Sequence, residues 1–254
     1  MWIHAGLDHL FLRQFWSALW RLHVAARICY FLWMVAHAGL AVGVWSSSME
    51  HDPTCQRCLQ EPKSIDHCLW ACPTFVDVWR AVSLLLSRAG VQHGFLTWGS
   101  VSWIHPAPGP HLCFDSSDRD PVYMLTPSGY LRDCMSMLRP LPSDTAIGPR
   151  DEVFSTIVCI SLWNVWRARC FQVISHSPST AVDVLTYIWT DLIHTLSSRW
   201  SAVAGPSRAA TERRHSFLRR WMRTPLFCSL RGGRLGWHYS PPQWFILHTS
   251  HQPP

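Results

Sequence analysis

Four residues at fixed spacing, Cys55-x2-Cys58-x8-His67-x4-Cys72, constrain what this chain can fold into more than any other feature. Three thiolates and one imidazole make up the closed tetrahedral donor set of a structural zinc site. Two cysteines three positions apart can turn both sulfurs onto one ion from a tight loop, and Pro53 just upstream helps to fix that loop. The second pair follows across a short polar connection. In a small domain without disulfides, closing such a loop on a metal supplies roughly 10 kcal/mol or more of folding free energy. A CxxC pair alone is equally compatible with ordinary buried cysteines, and it is His67 and Cys72 that tip the balance toward a metal. A catalytic zinc is disfavoured, because such a site keeps an open position for water and here four protein ligands would fill it.

Cys68 competes with His67 for a place in this set. On an unbroken helix Cys68 and Cys72 lie four apart and share a face, whereas His67 and Cys72 are well separated in angle. Against this, Pro73 disfavours the α conformation at Cys72, so the helix ends there and Cys72 can swing back toward His67. The expected zinc ligands are therefore Cys55, Cys58, His67 and Cys72, with Cys68 the alternative to His67.

Around this cluster the apolar pattern is mostly helical. Phe15, Leu19 and Leu22 form one stripe and Ile28, Phe31, Leu32 and Val35 another. After Pro73, the run Phe75, Val78, Trp79, Val82, Leu85, Leu86 keeps the rhythm of an amphipathic helix that stops near Gly90. Residues 106–150 are rich in proline, glycine, serine and aspartate without a sustained period. Helical pattern returns at 151–174 and 180–200, interrupted by His176, Ser177, Pro178 and Ser179, which reads as a helical hairpin with Asp151 and Glu152 at a favourable N-terminus. The expected fold is mainly α: a zinc-stapled helical module over 10–100, an irregular linker over 101–150, the hairpin over 151–204 and a disordered, arginine-rich tail over 205–254.

Charge sharpens the division. The 205–254 segment carries eight arginines against Glu212, a net +7, leaving 14 basic and 15 acidic groups, net −1, in residues 1–204. An acidic partner such as nucleic acid would be attracted to the tail first. There Arg213, Arg214, Arg219, Arg220 and Arg223, interleaved with Phe217 and Trp221, are candidates to hold phosphates and stack on bases. Arg231-Gly232-Gly233-Arg234 alone is a weak signal of the same kind. Ten cysteines would suit a disulfide framework in a short secreted chain, but no cleavable signal peptide opens this sequence, so an intracellular, reducing location is expected. Ile28 to Trp45 runs 18 residues without a formal charge, the lower edge of spanning length, yet His37, Gly39 and Gly43 favour a buried amphipathic helix over a membrane span.

Phe15-Trp16-Ser17-Ala18-Leu19-Trp20-Arg21-Leu22, then Arg27-Ile28-Cys29-Tyr30-Phe31-Leu32-Trp33-Met34-Val35-Ala36-His37-Ala38-Gly39-Leu40, then the cysteine and histidine cluster with Pro73 to Trp79, resemble in that order the zinc-binding domain that follows the reverse transcriptase in non-LTR retrotransposons. Leu162-Trp163-Asn164-Val165-Trp166-Arg167-Ala168-Arg169-Cys170 is similar to the LWxxWxxRN segment that often follows in these elements, with Cys170 where asparagine is usual. The resemblance implies a non-catalytic module that binds RNA or DNA and contains a structural zinc. No paired-aspartate polymerase site or spaced acidic set for two-metal chemistry is found, so no enzymatic activity and no small-molecule substrate are expected. The alternative is a zinc-stabilised protein-interaction scaffold or a remnant of an element without function.

Overall fold

The structure, a computed structural model of the chain, describes residues 20, 22–36, 40, 42, 54–61, 63–91, 149–203, 205, 207–232 and 234–247. The expected helix through Phe15 and Leu19 and the linker over 101–148 lie outside these residues. In chain order come α1 (Ala26–Ala36), a π-helical turn (His67–Ala71), a 3-10 turn (Pro73–Phe75), α2 (Val76–Arg88), α3 (Pro149–Ser175), α4 (Ala181–Ala202), α5 (Arg208–Trp221), strands β1 (Cys228–Arg231) and β2 (Arg234–Trp237), and α6 (Gln243–Leu247). The described chain is mainly helical, as the periodicity implied.

α3 is the organising element. Val153, Ile157, Val158, Cys159, Ile160, Leu162, Val165 and Ala168 are buried around much of its circumference, which requires neighbours on several sides. α1, α2, α4 and α5 all pack on it. From α1, Phe31 meets Trp163 edge-on at 5.6 Å and stacks near Trp166 at 6.2 Å. The LWxxWxxRN-like segment therefore forms part of the socket for α1.

Within that packing sits one polar group of note. Asn164, fully buried, donates through Nδ2 to the Ile160 carbonyl at 2.9 Å and to Asp191 Oδ2 on α4 at 3.0 Å. Arg27 and Arg167 approach the same carboxylate at 3.6 and 3.8 Å, so α1, α3 and α4 share one anion.

The hairpin forms as the pattern implied. α4 begins with a capping box at Thr180: its hydroxyl accepts from the Asp183 amide at 3.1 Å, and Asp183 Oδ2 accepts from the Thr180 amide at 2.8 Å. Val184, Leu185, Ile188, Trp189, Leu192, Ile193 and Leu196 then form its buried stripe. α2 ends where Gly90 takes φ +74: the Gly90 amide donates to Ser87 and the Val91 amide to Leu86, the paired bonds of a Schellman motif.

One expectation is corrected. The described residues of the 205–254 segment do not form a disordered tail: α5, the β1–β2 hairpin and α6 fold onto the helices. Counting its arginines and prolines understated its aromatic anchors, because Phe217, Trp221, Phe227 and Phe245 are all buried, and Trp189 of α4 packs against Phe227 at 5.5 Å and Phe245 at 5.7 Å. Trp189 Nε1 also donates to the His238 carbonyl at 2.7 Å. At the other end, Glu152 of α3 pairs with both Arg199 of α4 and Arg220 of α5. One continuous hydrophobic core runs from Ile28 through Leu86 and Leu162 to Phe245.

Among the described residues, no helix is long and apolar enough to cross a membrane. Within the uncharged Ile28 to Trp45 stretch, α1 buries Ile28, Phe31, Leu32 and Val35 and exposes Tyr30, which makes it amphipathic. Residues 37–39, 41 and 43–45 lie outside the described set.

Candidate metal centre

The CxxC pair sits in a tight loop. The Cys55 amide donates to the Glu61 carbonyl at 2.7 Å and the Leu59 amide to the Cys55 carbonyl at 2.8 Å, while Leu59 takes φ +57. A leucine in the left-handed region costs about 1 kcal/mol, so the surrounding contacts must hold it there. The second pair rests on a turn that Ser64 opens, its hydroxyl accepting from the His67 amide at 2.9 Å.

The geometry brings His67 and Cys72 together and leaves Cys68 outside the four-donor cluster. The Cys72 amide donates to the His67 carbonyl at 2.8 Å, an i→i+5 bond that widens the turn. In an α-helix, residues five apart are about 140° apart in angle; the π turn instead brings the fifth residue nearly back over the first. Cys72 then leaves the turn with φ −63 and ψ 123, the extended conformation Pro73 demands. Trp79 of α2 braces the turn, its Nε1 donating to the Leu69 carbonyl at 3.1 Å while its ring lies 4.7 Å from that of Trp70.

The donor atoms of Cys55, Cys58, His67 and Cys72 consequently converge, all within 4.8 Å of one another. Cys58 Sγ lies 3.3 Å from His67 Nε2, and Cys55 Sγ lies 4.0 Å from Cys72 Sγ. Zinc with sulfur ligands at 2.3 Å in a tetrahedron separates neighbouring sulfurs by about 3.8 Å, so the four donors already stand at metal-binding spacing. Cys55 and Cys72 are buried, and His67 is 6% exposed.

Cys68 is buried beside the cluster rather than in it. Hydrogen bonds from the Cys68 and Cys72 thiols hold the Cys55 thiol far below its ordinary pKa, and the same contact with Cys55, aided by burial, raises Cys68 and Cys72. Cys68 is thus a buried neighbour of Cys55 and not one of the four clustered donors. Thr74 provides a similar contact, its Oγ1 lying 3.1 Å from Cys72 Sγ.

What the sequence did not reveal is how this loop is held to the hairpin. Gln172 Nε2 of α3 donates to the Gln56 carbonyl at 2.7 Å. Arg57 Nη2 donates to the Ser179 carbonyl at 2.6 Å, and its guanidinium lies 4.3 Å above the Phe75 ring. Burial lowers the Arg57 pKa, and the negative charge of Cys72 and Cys55 opposes that shift. Arg57, Lys63 and Arg169 line a small cavity beside Cys55. A dication held by three thiolates would carry a net charge of −1, which these cations would offset.

Residues 7–79 match the family described as zinc-binding in reverse transcriptase. The reverse-transcriptase zinc-binding match takes in α1, the CxxC loop, the π turn and Trp79. It thus holds all four clustered donors and covers under a third of the chain. Neither a curated protein nor a solved structure matches the chain. Together the match and the cluster mark the chain as a zinc-binding protein related to retrotransposons.

The five candidate arginines differ in their surroundings. Arg213, Arg219 and Arg223 are exposed and Arg214 is half-buried. Arg220 is committed to Glu152, and the Arg223 side chain lies beside Gly90 at the end of α2. Phe217 and Trp221, read as base-stacking candidates, are core residues instead: their rings pack 6.5 Å apart, Phe217 against Trp200 at 5.5 Å and Trp221 against Phe227 at 5.9 Å. Of the tryptophans near the match, Trp79 is buried, Trp33 is half-buried and Trp20 is exposed.

Proposed function

We propose that Cys55, Cys58, His67 and Cys72 hold one structural zinc ion, and that the protein is an intracellular, non-catalytic module that binds nucleic acid through arginines of the 205–254 segment. The observation that carries the metal reading is the convergence of four soft donors within 4.8 Å inside the matched segment. Zinc would close the CxxC loop onto the π turn, and Gln172 and Arg57 would pass that order on to α3 and α4. Four protein ligands leave no open coordination position, which favours a structural over a catalytic ion.

The nucleic-acid reading draws on the kind of protein the matched family serves and on the +7 of the C-terminal segment. Among the described residues, Arg213, Arg214, Arg219 and Arg223 have no acidic partner, so their charge is available to phosphates. In a retrotransposon context such a module would hold template RNA or target DNA for a reverse transcriptase.

Metal analysis of the purified chain and filter binding across a salt series test both parts. One zinc per chain is expected, together with an affinity whose logarithm falls linearly with the logarithm of salt concentration. A chain without stoichiometric zinc would overturn the metal reading. Absence of any salt-dependent affinity for RNA or DNA would overturn the binding reading and favour a scaffold.

A further inference from the structure

The β1–β2 hairpin leaves the body as it runs toward its turn. Cys228 at its root is buried, Ser229 is half-buried, and Leu230 and Arg231 are exposed. The root is pinned by Trp237, whose ring meets Phe217 of α5 edge-on at 6.5 Å, and by the His238 amide, which donates to the Phe227 carbonyl at 2.9 Å. At the other end the register sets Arg231 directly opposite Arg234, across a turn in which Gly232 takes φ +55.

Like charges directly opposite one another in an antiparallel pair are destabilising. Both guanidinium groups are exposed, and among the described residues no acidic group pairs with either. Glu212, the sole carboxylate side chain from residue 205 onward, lies on α5 and faces Arg208 at 3.3 Å. The fold therefore maintains a repulsive pair at a projecting tip, and an anionic partner would turn that repulsion into attraction.

The rest of that face is shaped for close approach. Side chains alternate across a strand pair, so Arg231 and Arg234 share a face with the next-but-one pair, Ser229 and Gly236, while Leu230 and Leu235 project from the other. Gly236 is exposed and its φ lies outside the left-handed region. A Cβ added there would meet nothing nearer than the Ser229 carbonyl at 3.8 Å, which is ordinary contact. Neither backbone conformation nor crowding within the chain requires this glycine. Glycine inside a strand often marks a bulge, a tight bend or a place where a ligand or another backbone comes close, and the unbroken register here excludes a bulge. The result is a narrow strip with two arginines at its tip and, behind them, the Ser229 hydroxyl, which lies 3.3 Å from His238 Nε2.

Resting on the nucleic-acid reading above, we propose that this face of the hairpin is a phosphate-backbone contact site, with Arg231 and Arg234 straddling the backbone of a bound nucleic acid and Gly236 leaving room for it. A two-stranded ribbon is narrow enough to enter the major groove of a duplex, where phosphates line both walls. A single strand presents the same phosphate chemistry, and the two sources are separated by the probes below.

The full-length, zinc-loaded chain is compared with Arg231→Ala/Arg234→Ala, with Gly236→Val and with Arg213→Ala/Arg219→Ala by fluorescence anisotropy. The probes are a duplex and a single strand of equal length, each across a salt series. The hairpin pair should lower the magnitude of the slope of log K against log salt by about 1.8 on duplex, or about 1.4 on a single strand if that is the backbone engaged. Gly236→Val keeps the charge and suits a strand, yet should weaken binding with the slope of the remaining contacts intact, which a purely electrostatic tail would not show. If the parent chain binds and the hairpin pair and Gly236→Val both bind like it, this inference fails while the nucleic-acid reading stands. If the parent chain binds neither probe, the nucleic-acid reading itself fails.

Discussion

Replacing Glu152 by alanine tests whether the C-terminal segment is held by specific contacts or merely rests on the helices. Its carboxylate is 15% exposed and pairs with Arg199 and Arg220, whose side chains are 19% and 22% exposed. Burial lowers the Arg220 pKa, which records how poorly that guanidinium is solvated. Removing one partner of a fully buried pair costs about 3–5 kcal/mol, because a charge is left without compensation. Here two cations lose one shared anion, but all three groups retain some water, so a destabilisation of about 2–3 kcal/mol is expected. Urea unfolding followed by tryptophan fluorescence measures it, and hydrogen exchange should locate the loosening in α5, since Arg220 is that helix's tie to α3. Glu152→Gln, which keeps the shape and one acceptor, should fall between. A loss below about 0.5 kcal/mol for the alanine variant, the range of an exposed pair, would refute the view that Glu152 clasps three helices.

Two further outcomes follow from local geometry. His67→Ala should abolish stoichiometric zinc, whereas Cys68→Ala, which removes a buried neighbour of the Cys55 sulfur, should weaken zinc by no more than about 10- to 100-fold in a competition with a chromophoric chelator; the opposite ranking would make Cys68 the ligand. Thr180→Ala removes the cap of α4 and should cost about 1 kcal/mol in urea unfolding at neutral pH. The Thr180 hydrogen bonds lower the Asp183 pKa, so their stabilisation is present above the unfolded carboxylate value of about 3.9 and is lost as pH falls through the folded one. The gap between parent and variant should therefore narrow in acid, and a gap that widened there would contradict the capping box.

Local chemistry made much of this legible in the sequence. The CxxC and H-x4-C spacing named the four converging donors, Pro73 announced the extended Cys72, and helical periodicity located α2 and the hairpin to within a few residues. What could not be read off depended on contacts distant along the chain. The π turn that brings His67 and Cys72 together has no compositional marker, and it is stabilised partly by Trp79, twelve residues on. Arg220 looks like one more basic residue until Glu152, far upstream, arrives beside it. The folding of the C-terminal segment did leave a trace, since Ala210, Phe217 and Trp221 lie at i, i+7 and i+11 and form one helical stripe. The density of arginine hid that trace, because high charge with scattered prolines resembles a chain too polar to build a core.

The packing of α1 on α3 reaches beyond the matched segment. Phe31 is enclosed by Trp163 and Trp166, which lie far beyond the last matched residue, and the CxxC loop rests on Gln172 and Ser179. A piece cut at Trp79 would retain every metal donor yet leave Ile28, Phe31, Leu32 and Val78 facing water. Zinc could still close its loop, but the surface left open would be adhesive, and such a piece should associate with itself or with the excised helices added back in trans. The segment that matches the family is thus smaller than the segment whose packing closes the core.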